Sequence, residues 1–236
     1  MARTAVIAGV GPGLGAALAR KFADEGCSVG LFARSSDCIE ELADDLESSP
    51  GRALAVPTDV TDEAQVRRGF EAVREAFGPV DVYVHNAASA PWDGLLDCAP
   101  EDFDRALGVN GRGALLGARE AVSDMLVGDG GTVIFTGATS ALRGRDGAIA
   151  FSAAKFAARG MAESMARELG PDGVHVAHVV VDGQIANPRT LEANPERGEE
   201  TFLDPDAIAE SYWHLVEQDR SAWTLELDLR PHVESF

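Results

Sequence analysis

The chain has 236 residues, 45% of them apolar and 25% charged, a composition that builds a core and is unlike that of a disordered tail. Its 39 acidic residues outnumber 20 basic ones, for a formal net charge of −19. No basic block exists, so nucleic acid and anionic membrane surfaces would be repelled and neither is expected as a partner.

The first run, Thr4 to Ala8, reads as a strand buried on both faces, followed by glycines and a helix from Leu14 to Glu25. Cys27–Ala33 is the second strand, Ser36–Leu46 a helix with Ile39, Leu42, Ala43 and Leu46 on one stripe, and Ala53–Pro57 the third strand. Glu63–Phe77 is a helix, Val80–His85 a strand, and Phe103–Val127 a long helix that starts near Pro100. Gly131–Thr136 and Val174–Val181 are strands on either side of a helix over Phe151–Leu169. Pro205–Gln218 is a late helix, and Trp223–Leu229 alternates apolar residues as a last strand. Strands alternating with long helices predict one α/β domain, a doubly wound parallel sheet of about seven strands with helices on both faces. The least regular stretch, residues 182–204, follows the sixth strand and is expected to form a substrate loop, a mobile flap over the site.

The 20 cations are 18 arginines and two lysines, Lys21 and Lys155, so each lysine invites a question. Cys27, Cys38 and Cys98 form no CxxC pair; no disulfide framework and no metal site are expected, and a cytoplasmic location fits. The N-terminal run carries no apolar leader, and no apolar run approaches the length of a membrane span.

The segment Gly9-Val-Gly11-Pro12-Gly13-Leu14-Gly15 joins a predicted strand to a predicted helix. Glycines there permit a tight turn and close approach of backbone to a pyrophosphate, and the helix N-terminus offers unpaired N–H groups to negative charge. A dinucleotide is therefore expected. The second strand ends in Ala33-Arg34-Ser35 where an NAD site usually carries a carboxylate. Arginine forks onto a 2′-phosphate and serine donates to it, so NADP(H) is expected in preference to NAD(H). Asp59-Val60, after the third strand, is placed to meet the adenine amino group.

The order of motifs resembles the short-chain dehydrogenase/reductase family over essentially the whole chain. The family's glycine fingerprint looks like Ala8 to Gly15, and its Asn-Ala-Gly motif is similar to Asn86-Ala87-Ala88. Its helix asparagine matches Asn110, its lysine matches Lys155, and its Pro-Gly pair becomes Asp182-Gly183. The resemblance implies a Rossmann-like fold, a nicotinamide cofactor that also meets Gly183 and Ile185, and a homodimer or homotetramer packed through the two long middle helices. Two departures stand out. Phe151 takes the place of the family's tyrosine, four residues before Lys155, and Ala138 that of its serine. Phe cannot move a proton and Ala cannot donate a hydrogen bond.

Thr139 and Ser140 directly follow Ala138 and could bind a carbonyl, while Asp182 is a candidate acid. Lys155 and Asn110 keep a role in holding cofactor and water. Trp92, Ala138 and Phe151 could wall a small-molecule substrate. The expected function is an NADP(H)-dependent oxidoreductase with an altered site, reducing a carbonyl or an activated C=C bond. The alternative is a non-redox protein of the same fold: a cofactor-binding scaffold, a sensor, or a cyclase or isomerase. His85 reads as a satisfied strand-end histidine, and His175 and His178 lack ligand-like spacing with a carboxylate.

Overall fold

The computed structural model describes residues 2–233. β1 (Thr4–Ala8) leads through the glycine loop into α1 (Leu14–Asp24), β2 (Ser28–Ala33), α2 (Ser36–Asp45) and β3 (Arg52–Pro57). α3 (Glu63–Phe77), β4 (Val82–His85), α4 (Pro100–Leu107) and α5 (Gly113–Val127) follow. Next come β5 (Gly131–Thr136), α6 (Ile149–Leu169), β6 (Val174–Val181), β7 (Gln184–Ile185) and α7 (Pro188–Ala193). The described chain ends with β8 (Phe202–Leu203), α8 (Pro205–Val216) and β9 (Glu226–Leu229).

Seven strands form one sheet in the order β3-β2-β1-β4-β5-β6-β9, and every pairing is parallel. Helices cover both faces, which is why β1 and β6 are buried along their whole length. Successive side chains of β1 enter different cores. Ala5 and Ile7 pack with Leu18 and Phe22 of α1 and Ile208 of α8, whereas Val6 and Ala8 pack with Phe70 of α3 and Met125 of α5. Phe70 meets Phe32 edge-to-face at 5.4 Å, and deleting such a buried ring costs about 3–5 kcal/mol. The strand order reverses between β1 and β4, the crevice where sheets of this kind take ligands.

Most elements match the expected bounds within a residue or two; three stretches differ. The long middle helix is interrupted by a π-helical turn at Gly108–Arg112, which carries Asn110. The last strand pairs only over Glu226–Leu229, because Trp223 leaves the alternation to stack flat on His175 at 4.9 Å. Residues 182–204 are more regular than expected. β7 pairs with β8, and α7 opens with a reciprocal capping box between Asn187 and Thr190. This segment folds back on the glycine loop: a Cβ added to Gly13 would lie 3.2 Å from Asn187 Cβ.

Candidate active site

The glycine loop is pinned by its neighbours. The amides of Gly9 and Val10 both donate to Phe32 O, at 2.9 and 3.0 Å, and Asn86 Nδ2 donates to Gly9 O at 2.8 Å. Gly9 has φ 97°, and a Cβ there would sit 2.3 Å from the Ala87 amide nitrogen; one on Gly15 would sit 2.5 Å from Gly9 O. These two glycines let the β1 loop, the start of α1 and the β4 loop close on one another. Gly11 is different: a Cβ there would meet nothing within 4 Å, so the loop is open on that side. α1 has neither a capping side chain nor an acidic residue in its first turn, which leaves its leading amides for an anion.

Beside this loop lies a cleft of about 280 Å³. Among the expected residues it is lined by Gly9, Gly11, Pro12, Leu14, Gly15, Asn86, Ala88, Ala138, Phe151, Lys155, Gly183 and Ile185. Thr136, Gly137 and Val181 also line it and were not anticipated. Their signal was available, since they stand at the C-terminal ends of β5 and β6, the ligand-facing end of a parallel sheet. A separate depression of about 240 Å³, between α3 and α5, shares no residue with the cleft.

Lys155 is the one ionisable side chain in the cleft lining among the described residues. It is 4% exposed, donates to Thr136 O at 2.7 Å, and has its Nζ 5.6 Å from the centre of the Phe151 ring. Burial penalises its charge and lowers its pKa to about 8. Phe151 in turn packs against Trp92, ring centres 5.8 Å apart, and the Arg145 guanidinium lies 5.6 Å from the Trp92 ring centre.

Other expected residues stand outside the lining. Thr139 Oγ1 donates to Asp182 Oδ1, and the second Asp182 oxygen faces Arg230 at 3.5 Å. Ser140 is buried in the 3-10 turn after Ala138. Asn110 is buried; its Nδ2 donates to Ser89 O and Ala106 O, both at 2.9 Å, and its Oδ1 has no partner among the described residues. Asp59 Oδ1 accepts from the Thr61 amide at 2.9 Å, shaping the turn that carries Val60. Arg34 and Ser35 are exposed at the end of β2, and Arg34 has no hydrogen-bonding or ion-pair partner among the described residues.

Both tyrosines are spent elsewhere. Tyr83 OH bonds His85 Nδ1 at 2.9 Å and is walled in by Gly117, where a Cβ would come within 2.0 Å of the hydroxyl. Tyr212 OH bonds Thr136 Oγ1 at 2.9 Å within the α1–α8 core, and burial raises its pKa. His85 is satisfied at both nitrogens, Nε2 facing Val109 O at 3.0 Å. Burial, and then the Lys155 charge, push its pKa down to about 3. Cys27, Cys38 and Cys98 are all free. Among the described residues no cluster of His, Cys, Asp or Glu is arranged to hold a metal ion, and no helix is long and apolar enough to cross a membrane.

Comparison with known proteins agrees with this architecture. An uncharacterized oxidoreductase of Staphylococcus aureus (strain N315) is 28% identical over 229 residues, covering 97% of each chain. The crystal structure of a short-chain dehydrogenase from Rhodopseudomonas palustris is 33% identical, with a TM-score of 0.86 over 98% of this chain and 99% of that one. An alcohol dehydrogenase from the archaeon Thermococcus sibiricus, complexed with 5-hydroxy-NADP, is 26% identical with a TM-score of 0.89, covering 100% of this chain and 99% of that one. The family model described as short chain dehydrogenase matches residues 3–195, and with the sheet order and the glycine loop in place, the chain belongs to the short-chain dehydrogenase family.

Proposed function

We propose that this chain binds NADP(H) in preference to NAD(H) and reduces a carbonyl or an activated C=C bond of a small organic molecule. The observation that carries the reading is Lys155, among the described residues the single ionisable group lining a cleft otherwise built from glycine, apolar and neutral polar residues. Arg34, exposed and without a partner among the described residues, fits a 2′-phosphate, and the similar archaeal enzyme is complexed with 5-hydroxy-NADP. A bound nicotinamide supplies the hydride.

On this reading the chain's own residues divide the remaining work. The amides of the Gly9–Gly15 loop hold the pyrophosphate, with Arg34 and Ser35 on the 2′-phosphate and Asp59 and Val60 at the adenine. Asn86, Ala87 and Ala88 line one side of the cofactor, Gly183 and Ile185 the nicotinamide end. Lys155 meets the ribose hydroxyls. Asn110 holds the 86–89 segment through Ser89 O.

Phe151 and Ala138 then stand at the positions of the family's tyrosine and serine. Phe151 shields the reacting atoms and forms an apolar wall with Trp92. The proton comes from Lys155: Nζ has three donors, one of them bonded to Thr136 O, and a pKa of about 8 suits an acid that must give up its proton near neutrality. Thr139 and Asp182 are bonded to each other, so they shape the floor after Ala138 without serving as the donor. Residues 182–204 cover the substrate. A homodimer or homotetramer packs through α5 and α6, where Leu115 and Phe156 stand exposed.

The test is direct. Purified protein is titrated with NADPH and with NADH by cofactor fluorescence, then given ketones and enones in parallel. NADPH should bind more tightly than NADH, and at least one substrate class should turn over. Absence of NADPH binding, or binding without turnover of either class, would sink the reading.

A further inference from the structure

Four side chains form a line that leads out of the cleft. Lys155 Nζ lies 5.6 Å from the Phe151 ring centre, the Phe151 and Trp92 ring centres are 5.8 Å apart, and the Arg145 guanidinium lies 5.6 Å from the Trp92 ring centre. Exposure rises along it: Lys155 and Phe151 are buried, Trp92 is 57% exposed, and Arg145 is exposed. Two aromatic rings thus carry a cation at each end, one inside the cleft and one on the solvent side.

Backbone holds the outer pair in place. Trp92 is on the loop after β4 and Arg145 on the loop after β5, neighbouring strands of a parallel sheet whose C-terminal ends face the ligand. The Ile149 amide donates to Asp93 O at 3.2 Å, which ties the two loops together, and the Arg145 amide donates to Ser152 Oγ at 3.2 Å. The Arg145 charge is left over. Arg105 and Arg112, also exposed, pair with Asp102 and Glu63. Arg145 has no ion pair and no side-chain hydrogen bond among the described residues, although Asp93 and Asp146 stand on the same two loops. A guanidinium that rests on an indole keeps its N–H donors, arranged in the fork that fits a carboxylate. In a chain of net charge −19 an anionic substrate meets general repulsion, so its capture needs a local cation of this kind.

We propose that Arg145 determines the specificity of the site by selecting substrates that carry a carboxylate. This rests on the reduction proposed above. The substrate places its reducible group beside Lys155, a flat apolar middle along Phe151 and Trp92, and its carboxylate on the Arg145 fork. An aryl keto acid has this form, and its methyl ester has the same form without the charge. Arg145 binds the far end of the substrate and takes no part in moving the proton or the hydride.

The probes are 4-acetylbenzoate and 4-acetylcinnamate, which differ in the length of the flat middle, each with its methyl ester. Their binding to the full chain is measured by calorimetry with NADP+ present, so that no hydride is available, in the wild type, Arg145→Gln and Arg143→Gln. Arg143 is the control: it is exposed on the same loop and has neither an ion pair nor a ring contact among the described residues. At least one acid should bind the wild type about tenfold more tightly than its ester. Arg145→Gln should remove that preference by weakening the acid alone, and Arg143→Gln should keep it. Equal binding of acid and ester by the wild type, or binding of none of the probes, overturns the assignment. So does a preference that survives in Arg145→Gln, one lost equally in Arg143→Gln, or an Arg145→Gln that weakens acid and ester together, the mark of a structural role. Binding is read without turnover, so the two readings fail separately. Reduction of the esters by NADPH with no such preference removes the selectivity and leaves the reduction; a preference set by Arg145 with no reduction of any probe does the reverse.

Discussion

At the glycine-loop end of the cleft the structure works through backbone, whereas at the Lys155 end it works through side chains. Gly9 and Gly15 pack the loop against its neighbours, Gly11 leaves it open, and α1 presents uncapped amides. Nothing there titrates, and Arg34 adds a permanent charge at the margin. At the other end an ammonium is buried beside a phenyl ring, with Ala138 also in the lining. The first end is generic, built from backbone segments that its glycines bring together. The second is costly, because burying an ammonium whose bond is to a neutral carbonyl costs stability. On the proposed function that cost is offset by the proton Lys155 supplies.

Substitutions should separate the two ends. Lys155→Met should lower reduction by about a hundredfold or more, the usual worth of a positioned acid, while thermal unfolding shows a melting temperature unchanged or raised. Loss of the fold instead would mean that Lys155 is structural. Gly9→Ala acts on the other end. Its Cβ would collide with Ala87 at 2.3 Å in a backbone with φ 97°, so denaturant unfolding should show about 2 kcal/mol or more of lost stability, with NADPH binding lost in step. Arg34→Gln should leave stability alone and reduce the preference for NADPH over NADH by about tenfold, read as the ratio of dissociation constants. Phe151→Tyr should raise ketone reduction, by about tenfold, because it puts a phenol beside the Lys155 ammonium.

The backbone-built end was legible in the sequence and the side-chain end much less so. Parallel strands buried on both faces leave unbroken apolar runs, so β1, β5 and β6 are found at their observed bounds. The glycine loop is readable because glycine is the only residue that satisfies Gly9 at its φ and its contact with Ala87. Lys155, Phe151 and Ala138 were visible through motif order. Their partners were not. The Thr136 carbonyl that receives Lys155 carries no side-chain signature, and the bond between Thr139 and Asp182 joins residues 43 apart in sequence. The π-helical turn at Asn110 leaves no mark in the apolar pattern of the middle helix. Trp223 reads as a strand residue by alternation, but its stacking on His175 ends the strand earlier. The capping box of α7 was readable in Asn187-Pro188-Arg189-Thr190, and only the surrounding polar composition hid it.

The most direct measurement pairs kinetics with titration. The pH dependence of kcat/KM for reduction is recorded alongside the NMR titration of 15N-lysine in the free protein. Lys21, held by Glu25 and Glu210, titrates above its ordinary value, whereas Lys155 is pulled down to about 8 by burial. A donor must carry its proton, so the rate should be full below pH 8 and fall as pH rises through the Lys155 midpoint, the two curves coinciding. A rate that stays flat through that midpoint, or a Lys155 that titrates together with Lys21, would contradict the assignment of the proton to Lys155.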